Sequence, residues 1–177
     1  MSIPSRHSRP ADVLATERTF FVTSSILDKR NLLQSNRAAE LLIDVLYVYR
    51  SQRKYLLHEF VVMPDHFHAL ITVGQEMTIE RAMQLIKGGF AFRATHELGF
   101  HPPIWQKSFS ESRTVDREGF RRQREYILNN PVRRGLVSSP ERYLFSSGCP
   151  GLEVDPPPQR LKPLLEGAFC GTPEGVP

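Results

Sequence analysis

Cysteine is scarce: Cys149 and Cys170 are the only two in 177 residues, without the close spacing of a metal knuckle or partners for a disulfide framework. No stretch approaches the roughly 20 consecutive apolar residues of a membrane span. The first residues, MSIPSRHSRPADVL, have basic side chains with no apolar core behind them. The expectation is a soluble, cytoplasmic protein with no membrane partner. No GxxxxGK[ST] loop is present, so no nucleotide cofactor is expected. Acidic excess is missing as well: 23 Lys and Arg against 19 Asp and Glu give +4 and a pI near 9.3, which suits a polyanionic partner.

What remains has globular proportions, 40% apolar and 24% charged, in a length that suits one domain. Residues 1–18 are polar, carry no hydrophobic period and read as a flexible arm. TFFVTSSIL, from Thr19, reads as a strand. From Leu32 to about Arg53, Leu42, Val45, Leu46 and Tyr49 recur at helical spacing. YLLHEFVVM from Tyr55 and HFHALITV from His66 are strands joined by a turn at Pro64 and Asp65. Thr78 caps a second helix that Gly99 ends, and Gly88 and Gly89 inside it predict a kink or a close neighbour. IWQKSFSESRTV is a fourth strand, and Asp116 caps a third helix that Pro131 should stop. The order βαββαβ plus a terminal helix predicts an α+β, ferredoxin-like antiparallel sheet with its first two helices on one face. Residues 19–137 would form this domain. Nine of the 14 prolines fall from Pro131 onward, so residues 138–177 read as a Pro-rich tail lying over the domain or partly disordered.

Two histidines interrupt the third strand. Residues i and i+2 of a strand share a face, so His66 and His68 project together while Phe67, Ala69, Ile71 and Val73 enter the core. That places the imidazoles on a sheet face expected to be open, opposite the two helices. They could converge on one metal ion or be ordinary hydrogen-bonded histidines, and the spacing alone does not decide.

In the third helix Phe120, Ile127 and Leu128 mark the packing face. Tyr126 lies about 120° round from Phe120, at 100° per residue, among Arg122, Gln123, Asn129 and Asn130. It is either an amphipathic surface residue or a nucleophile with a cation at hand. Asn130, one turn on, offers an amide oxygen as a third metal ligand. Arg117, Arg121, Arg122, Arg124, Arg133 and Arg134 crowd around this helix, faced only by Glu118 and Glu125 in the local sequence. With Trp105, Lys107 and Arg113 they could serve a phosphate backbone with splayed bases, or simply be a solvated face.

Three segments in order, MPDHFHALI at Met63, WQKSF at Trp105 and YILNNPVRRGLV at Tyr126, resemble the single-tyrosine HUH transposases, and within them the bacterial REP-associated tyrosine transposases. MQLIKGGFAFR and DPPPQRLKP are similar to segments of one branch. The resemblance implies His66 and His68 as the metal pair, Tyr126 as nucleophile, Asn130 as a further polar ligand, and Mg²⁺ or Mn²⁺ as the ion. It implies single-stranded or hairpin DNA as substrate, with Lys87, Arg93, Trp105, Lys107, Arg113, Arg121, Arg122, Arg133 and Arg134 as candidate DNA contacts. A monomer with Tyr126 acting in its own subunit is expected. Asp65 stands where the family more often has Asn, and either serves in the turn. Two other readings compete: a palindrome-binding protein that has lost catalysis, and a small zinc hydrolase built on the histidine pair.

Overall fold

A computed structural model describes residues 17–159 and 161–162, so the arm ahead of residue 17 and the end beyond 162 lie outside the described residues. The chain forms β1 (Arg18–Ser25), α1 (Asn36–Ser51), β2 (Leu56–Met63), β3 (His66–Val73), α2 (Ile79–Leu98), β4 (Ser110–Thr114) and α3 (Arg117–Arg133). The sheet order is β2-β3-β1-β4 with every neighbouring pair antiparallel. This is an α+β fold of two interleaved βαβ halves, as the succession of elements predicts.

Local chemistry sets the helix ends. The Thr78 side chain accepts from Arg81 N, and Gly99, at φ 71, closes α2 in the left-handed region that glycine tolerates. α1 begins at Asn36 rather than near Leu32, because Leu33 N is committed to Pro64 O and Ser35 supplies the cap to Ala38 N. α2 runs unbroken through its glycine pair. A Cβ on Gly89 would lie 2.9 Å from Tyr49 Oη and 3.3 Å from Val45 Cγ1, so that glycine admits α1 rather than a kink.

Three expectations are corrected. Pro131 does not stop α3, which continues to Arg133: proline forfeits one N–H, but Arg134 N still reaches Asn130 O and Leu136 N reaches Pro131 O. The fourth strand is only Ser110–Thr114. Trp105 makes an isolated bridge to Ile26, just past β1, Gln106 N bonds Ser25 O, and the loop between is braced by Lys87, whose ammonium donates to Gln106 O at 2.8 Å. Most consequentially, the histidine face of the sheet is not open.

One face packs under α1 and α2, with Val22, Phe60, Val62, Phe67, Ala69 and Ile71 against Leu42, Leu46, Met83, Ile86 and Phe90. The other face carries Val61, Met63 and Leu70, and α3 lies across it with Phe120 and Ile127, joined by Leu161. Burying Phe120 and Ile127, at about 2–3 kcal/mol each, seats a helix that is otherwise strongly polar. Glu59 faces α3 by alternation with Val61 and Met63, and a β-bulge between Leu57 and Glu59 brings His58 to that side as well.

The proline-rich stretch lies along the domain as far as it is described. Val62 N donates to Phe145 O, Ser147 N to Phe60 O and Asp155 N to Leu57 O, at 2.8, 3.0 and 2.8 Å, which satisfies the outer edge of β2. Arg50 of α1 grips the Asp155 carboxylate through Nε and Nη2, each at 2.9 Å. Farther on, Lys162 bonds Val115 O and Arg117 N, where β4 passes into α3.

Candidate active site

Strand alternation sends His66 and His68 to the α3 face, where they are 4% and 5% exposed. Their Nε2 atoms lie 3.1 Å apart. Each Nδ1 is engaged: that of His66 by Asp65 Oδ1 at 2.5 Å, that of His68 by Thr23 Oγ1 at 2.7 Å. The antiparallel register places Thr23 directly opposite His68. An ionised carboxylate only accepts, so His66 carries its proton on Nδ1 and presents a lone pair at Nε2. The Thr23 hydroxyl can donate or accept. His68 can therefore offer an N–H to His66, or a second lone pair to a cation.

Burial depresses both imidazoles. For His66 desolvation is partly offset by the bond to Asp65, while His68 is pushed down to about 3 by desolvation, then by His66 and by the charges of Lys29 and Arg134. Neutral imidazole is the ligating form. Desolvation pushes Asp65 upward, yet its bond to His66 and the charges of His66, Lys29 and Arg134 outweigh this and hold it below the usual carboxylate range.

α3 brings Tyr126 over this pair. Its ring lies 5.3 Å from that of His68 and 5.8 Å from that of Phe21, both edge-on, with the Arg133 guanidinium carbon 5.3 Å from its centroid. Tyr126 is 39% exposed, open enough for a polymer to reach. Asn130, one turn on, is buried, and its Oδ1 finds no hydrogen-bond partner among the described residues. Leaving such an acceptor dry costs about 1–3 kcal/mol, and a cation would remove that cost. The next turn carries Arg134, whose charge bears on both histidines. Among the described residues no cluster of three His, Cys, Asp or Glu side chains forms, so an amide oxygen is what the chain offers as a third donor. Two imidazoles and an amide oxygen fit a borderline divalent ion.

The expected DNA contacts divide. Arg133 and Arg134 belong to the site. Arg121 is paired with Glu118 and Glu125 at 2.8 and 2.9 Å, with Arg122 3.9 Å from Glu118, both on the outer surface of α3. Lys107 is exposed in the loop before β4. Arg113 stands opposite Phe20 in the ladder, and so on the α1 and α2 face. Arg93 is held by Glu97 on that same side. Lys87 is turned into loop carbonyls, its ammonium depressed by desolvation. Trp105, expected to stack on a base, is a core residue instead: it is 9% exposed, with Phe67 and Phe90 against its ring and its Nε1 donating to Lys87 O. A cleft of about 810 Å³ between α1 and the start of β2 contains Arg93 but none of His66, His68 and Tyr126, so this hollow and the candidate reactive groups lie apart.

Sequence reasoning passed over Thr23, Lys29, Glu59 and the orienting role of Asp65. Asp65 and Glu59 had a visible signal, a carboxylate beside a histidine and a carboxylate inside an apolar strand. Thr23 had none, since only the register of β1 on β3 brings it to His68.

An antiparallel sheet holding a His-hydrophobic-His pair beneath a helix-borne tyrosine defines a single-tyrosine transposase. The family model described as "Transposase IS200 like" matches residues 21–130, and the chain belongs to that family. It is similar to a REP-associated tyrosine transposase of Escherichia coli (strain K12), 28% identical over 131 residues that cover 73% of this chain and 75% of that protein. Its fold is similar to a REP-associated tyrosine transposase solved bound to a REP hairpin, with TM-score 0.66, 25% identity and 82% of each chain covered. A putative transposase from Deinococcus radiodurans aligns with TM-score 0.49 and 19% identity, over 73% of this chain and 97% of that one.

Proposed function

We propose that the protein cleaves and rejoins single-stranded DNA at hairpin-forming palindromic repeats through a covalent phosphotyrosine. The observation that carries this reading is Tyr126 standing edge-on to His68 of its own chain at 5.3 Å, so one copy supplies both nucleophile and histidine pair. Support for a hairpin substrate comes from the similar transposase solved with a REP hairpin.

In the reaction Tyr126 Oη attacks a backbone phosphorus. The new P–Oη bond forms as the P–O3′ bond breaks; the phenolic proton leaves to solvent and the 3′ oxygen departs as a hydroxyl. Attack by a 3′-hydroxyl on the 5′-phosphotyrosine reverses these events, and no nucleotide is consumed because the bond energy is retained. The guanidinium of Arg133 lies against the Tyr126 ring and helps fix its orientation. Arg134 adds positive charge where the phosphate would lie. His66, His68 and Asn130 would hold Mg²⁺ or Mn²⁺, which when bound polarises a phosphate oxygen. Asp65 fixes the proton of His66 on Nδ1 and aims its Nε2 inward.

Incubation with end-labelled hairpin DNA and Mn²⁺ should give a covalent protein–DNA adduct that Tyr126→Phe abolishes and a chelator suppresses. An adduct that survives Tyr126→Phe would overturn the assignment. Hairpin binding indifferent to chelator, with no adduct, would mark a binding protein without catalysis.

A further inference from the structure

Glu59 is 5% exposed on the α3 face of β2, and its two carboxylate oxygens are bound from different parts of the chain. Oε1 accepts from Arg124 Nε of α3 at 2.5 Å, and Oε2 from the Ser147 hydroxyl at 2.6 Å. The Ser147 hydroxyl also accepts from Phe60 N at 3.0 Å, so the carboxylate is locked to the backbone of its own strand. Burying a carboxylate is costly unless it is paired and hydrogen-bonded, and an apolar residue would fill this place more cheaply. The expense is informative because of what the partner carries: Arg124 is two residues before Tyr126.

The rest of the α3 seat is thin. Phe120, Ile127 and Pro131 are its buried apolar residues, and Gln123 reaches Thr114 and Ser112. Apolar contact does not fix how a helix is rotated or how far it slides along its axis. A directional ion pair anchored in the sheet does. Strand alternation puts Glu59 on this side, in line with Val61 and Met63 and opposite Leu70.

We propose that Glu59 is a positioning residue for Tyr126: through Arg124 it sets the rotation and axial register of α3, and thereby the placement of the phenol over the histidine pair. This rests on the reading of Tyr126 as nucleophile, but its geometric half can be tested without any reaction. Misplacement of a nucleophile by about 1 Å costs on the order of 100-fold in rate. Glu59→Ala should therefore slow single-turnover adduct formation by about 10- to 100-fold with little change in DNA KM. Glu59→Gln, which keeps an acceptor for Arg124 and Ser147, should recover most of the rate. Arg124→Ala should match Glu59→Ala, and the double variant should lose no more than either alone.

The readout independent of chemistry is the nuclear Overhauser contact between the Tyr126 and His68 ring protons, measured well below the melting temperature. It should be present in the wild type, lost or weakened in Glu59→Ala and retained in Glu59→Gln. A folded Glu59→Ala protein with an unchanged ring contact overturns the proposal, as does a rate loss that merely follows the unfolded fraction. Wild-type protein that makes no adduct, with a ring contact that still depends on Glu59, would overturn the nucleophile reading and leave the positioning of α3 standing.

Discussion

Thr23 and His68 face each other across the central β1–β3 ladder, hydroxyl to Nδ1 at 2.7 Å. The hydroxyl can reverse its role without moving, so His68 can hold its proton on Nε2 when no cation is present and on Nδ1 when a cation takes the Nε2 lone pair. Orienting partners of this kind are worth about 10- to 100-fold in metal affinity. Thr23→Val, which keeps the shape but removes the hydroxyl, should weaken Mn²⁺ binding by that factor, and Thr23→Ser should restore it. Calorimetric or electron paramagnetic titration of the protein without DNA checks this.

Lys29 is a cation of the site rim that periodicity gave no reason to notice. Asp28 and Lys29 take left-handed backbone angles, φ 57 and 55, just past β1, an uncommon and costly choice for non-glycine residues. The loop sends the Lys29 ammonium to Ser25 Oγ at 2.9 Å and to within 3.8 Å of Asp65. It stands beside the histidine pair, on which its charge acts together with that of Arg134. If it contacts a DNA phosphate, Lys29→Gln should raise the DNA Kd and lower the salt slope of binding by about one, and Lys29→Arg should preserve both. Filter binding across a salt series gives the answer, and an unchanged slope would restrict Lys29 to its partnership with Asp65.

His58 forms a second buried polar chain. Its Nε2 lies 2.8 Å from Thr72 Oγ1, which lies 2.7 Å from Thr19 Oγ1, and its Nδ1 is 3.2 Å from Asp155 O. Desolvation lowers its pKa, against opposing contributions from the Asp155 and Pro156 backbone and from the charges of Asp155 and Glu59. A folded-state value below the unfolded one means the unfolded chain binds the extra proton first. The stabilising contribution is complete above the ordinary imidazole value, near 6.5, and is lost as pH falls below it. Unfolding free energies from urea titrations should decline from pH 7 to 5, by at most about 1.4 kcal/mol per pH unit for each proton taken up. His58→Gln should flatten part of that decline, with the remainder belonging to the other two buried histidines.

The neighbouring glycines of α2 should respond with opposite signs. Gly88 has open space around it, so Gly88→Ala gains the helical preference of alanine, about 0.5–1 kcal/mol. At Gly89 the new methyl would meet Tyr49 Oη at 2.9 Å and Val45 Cγ1 at 3.3 Å. Overpacking costs about 1–3 kcal/mol, so Gly89→Ala should be net destabilising. Thermal melts of the two single variants separate the cases.

What could be read in advance follows from the range of the physics. Period-2 alternation placed His66 and His68 on one face, and caps at Thr78, Asp116 and Gly99 located helix ends, because these depend on residues within a turn of one another. The polar flank of α3 singled out Tyr126 for the same reason. Pairings across the fold were invisible. Thr23 reaches His68 over 45 positions and Arg124 reaches Glu59 over 65, through strand register and the docking of α3 on the sheet, which no local pattern encodes. Trp105 misled because an aromatic between a proline pair and a lysine resembles an exposed stacking platform, whereas its ring fills a gap beside Phe67 and Phe90. The face taken as open is closed by α3, whose own composition is so polar that its few apolar residues understate how firmly it seats.

The late-sequence strap also sets a schedule. The edge of β2 is completed by residues 145–155, and the layer beneath α3 is sealed by Leu161 and by Lys162 at the β4–α3 junction. During synthesis the sheet and its α1–α2 side can assemble while this stretch is still being made. The face bearing Tyr126 cannot be finished until residue 162 has emerged. A nascent chain thus holds the Tyr126 helix without its final seat, and this face of the domain is completed last.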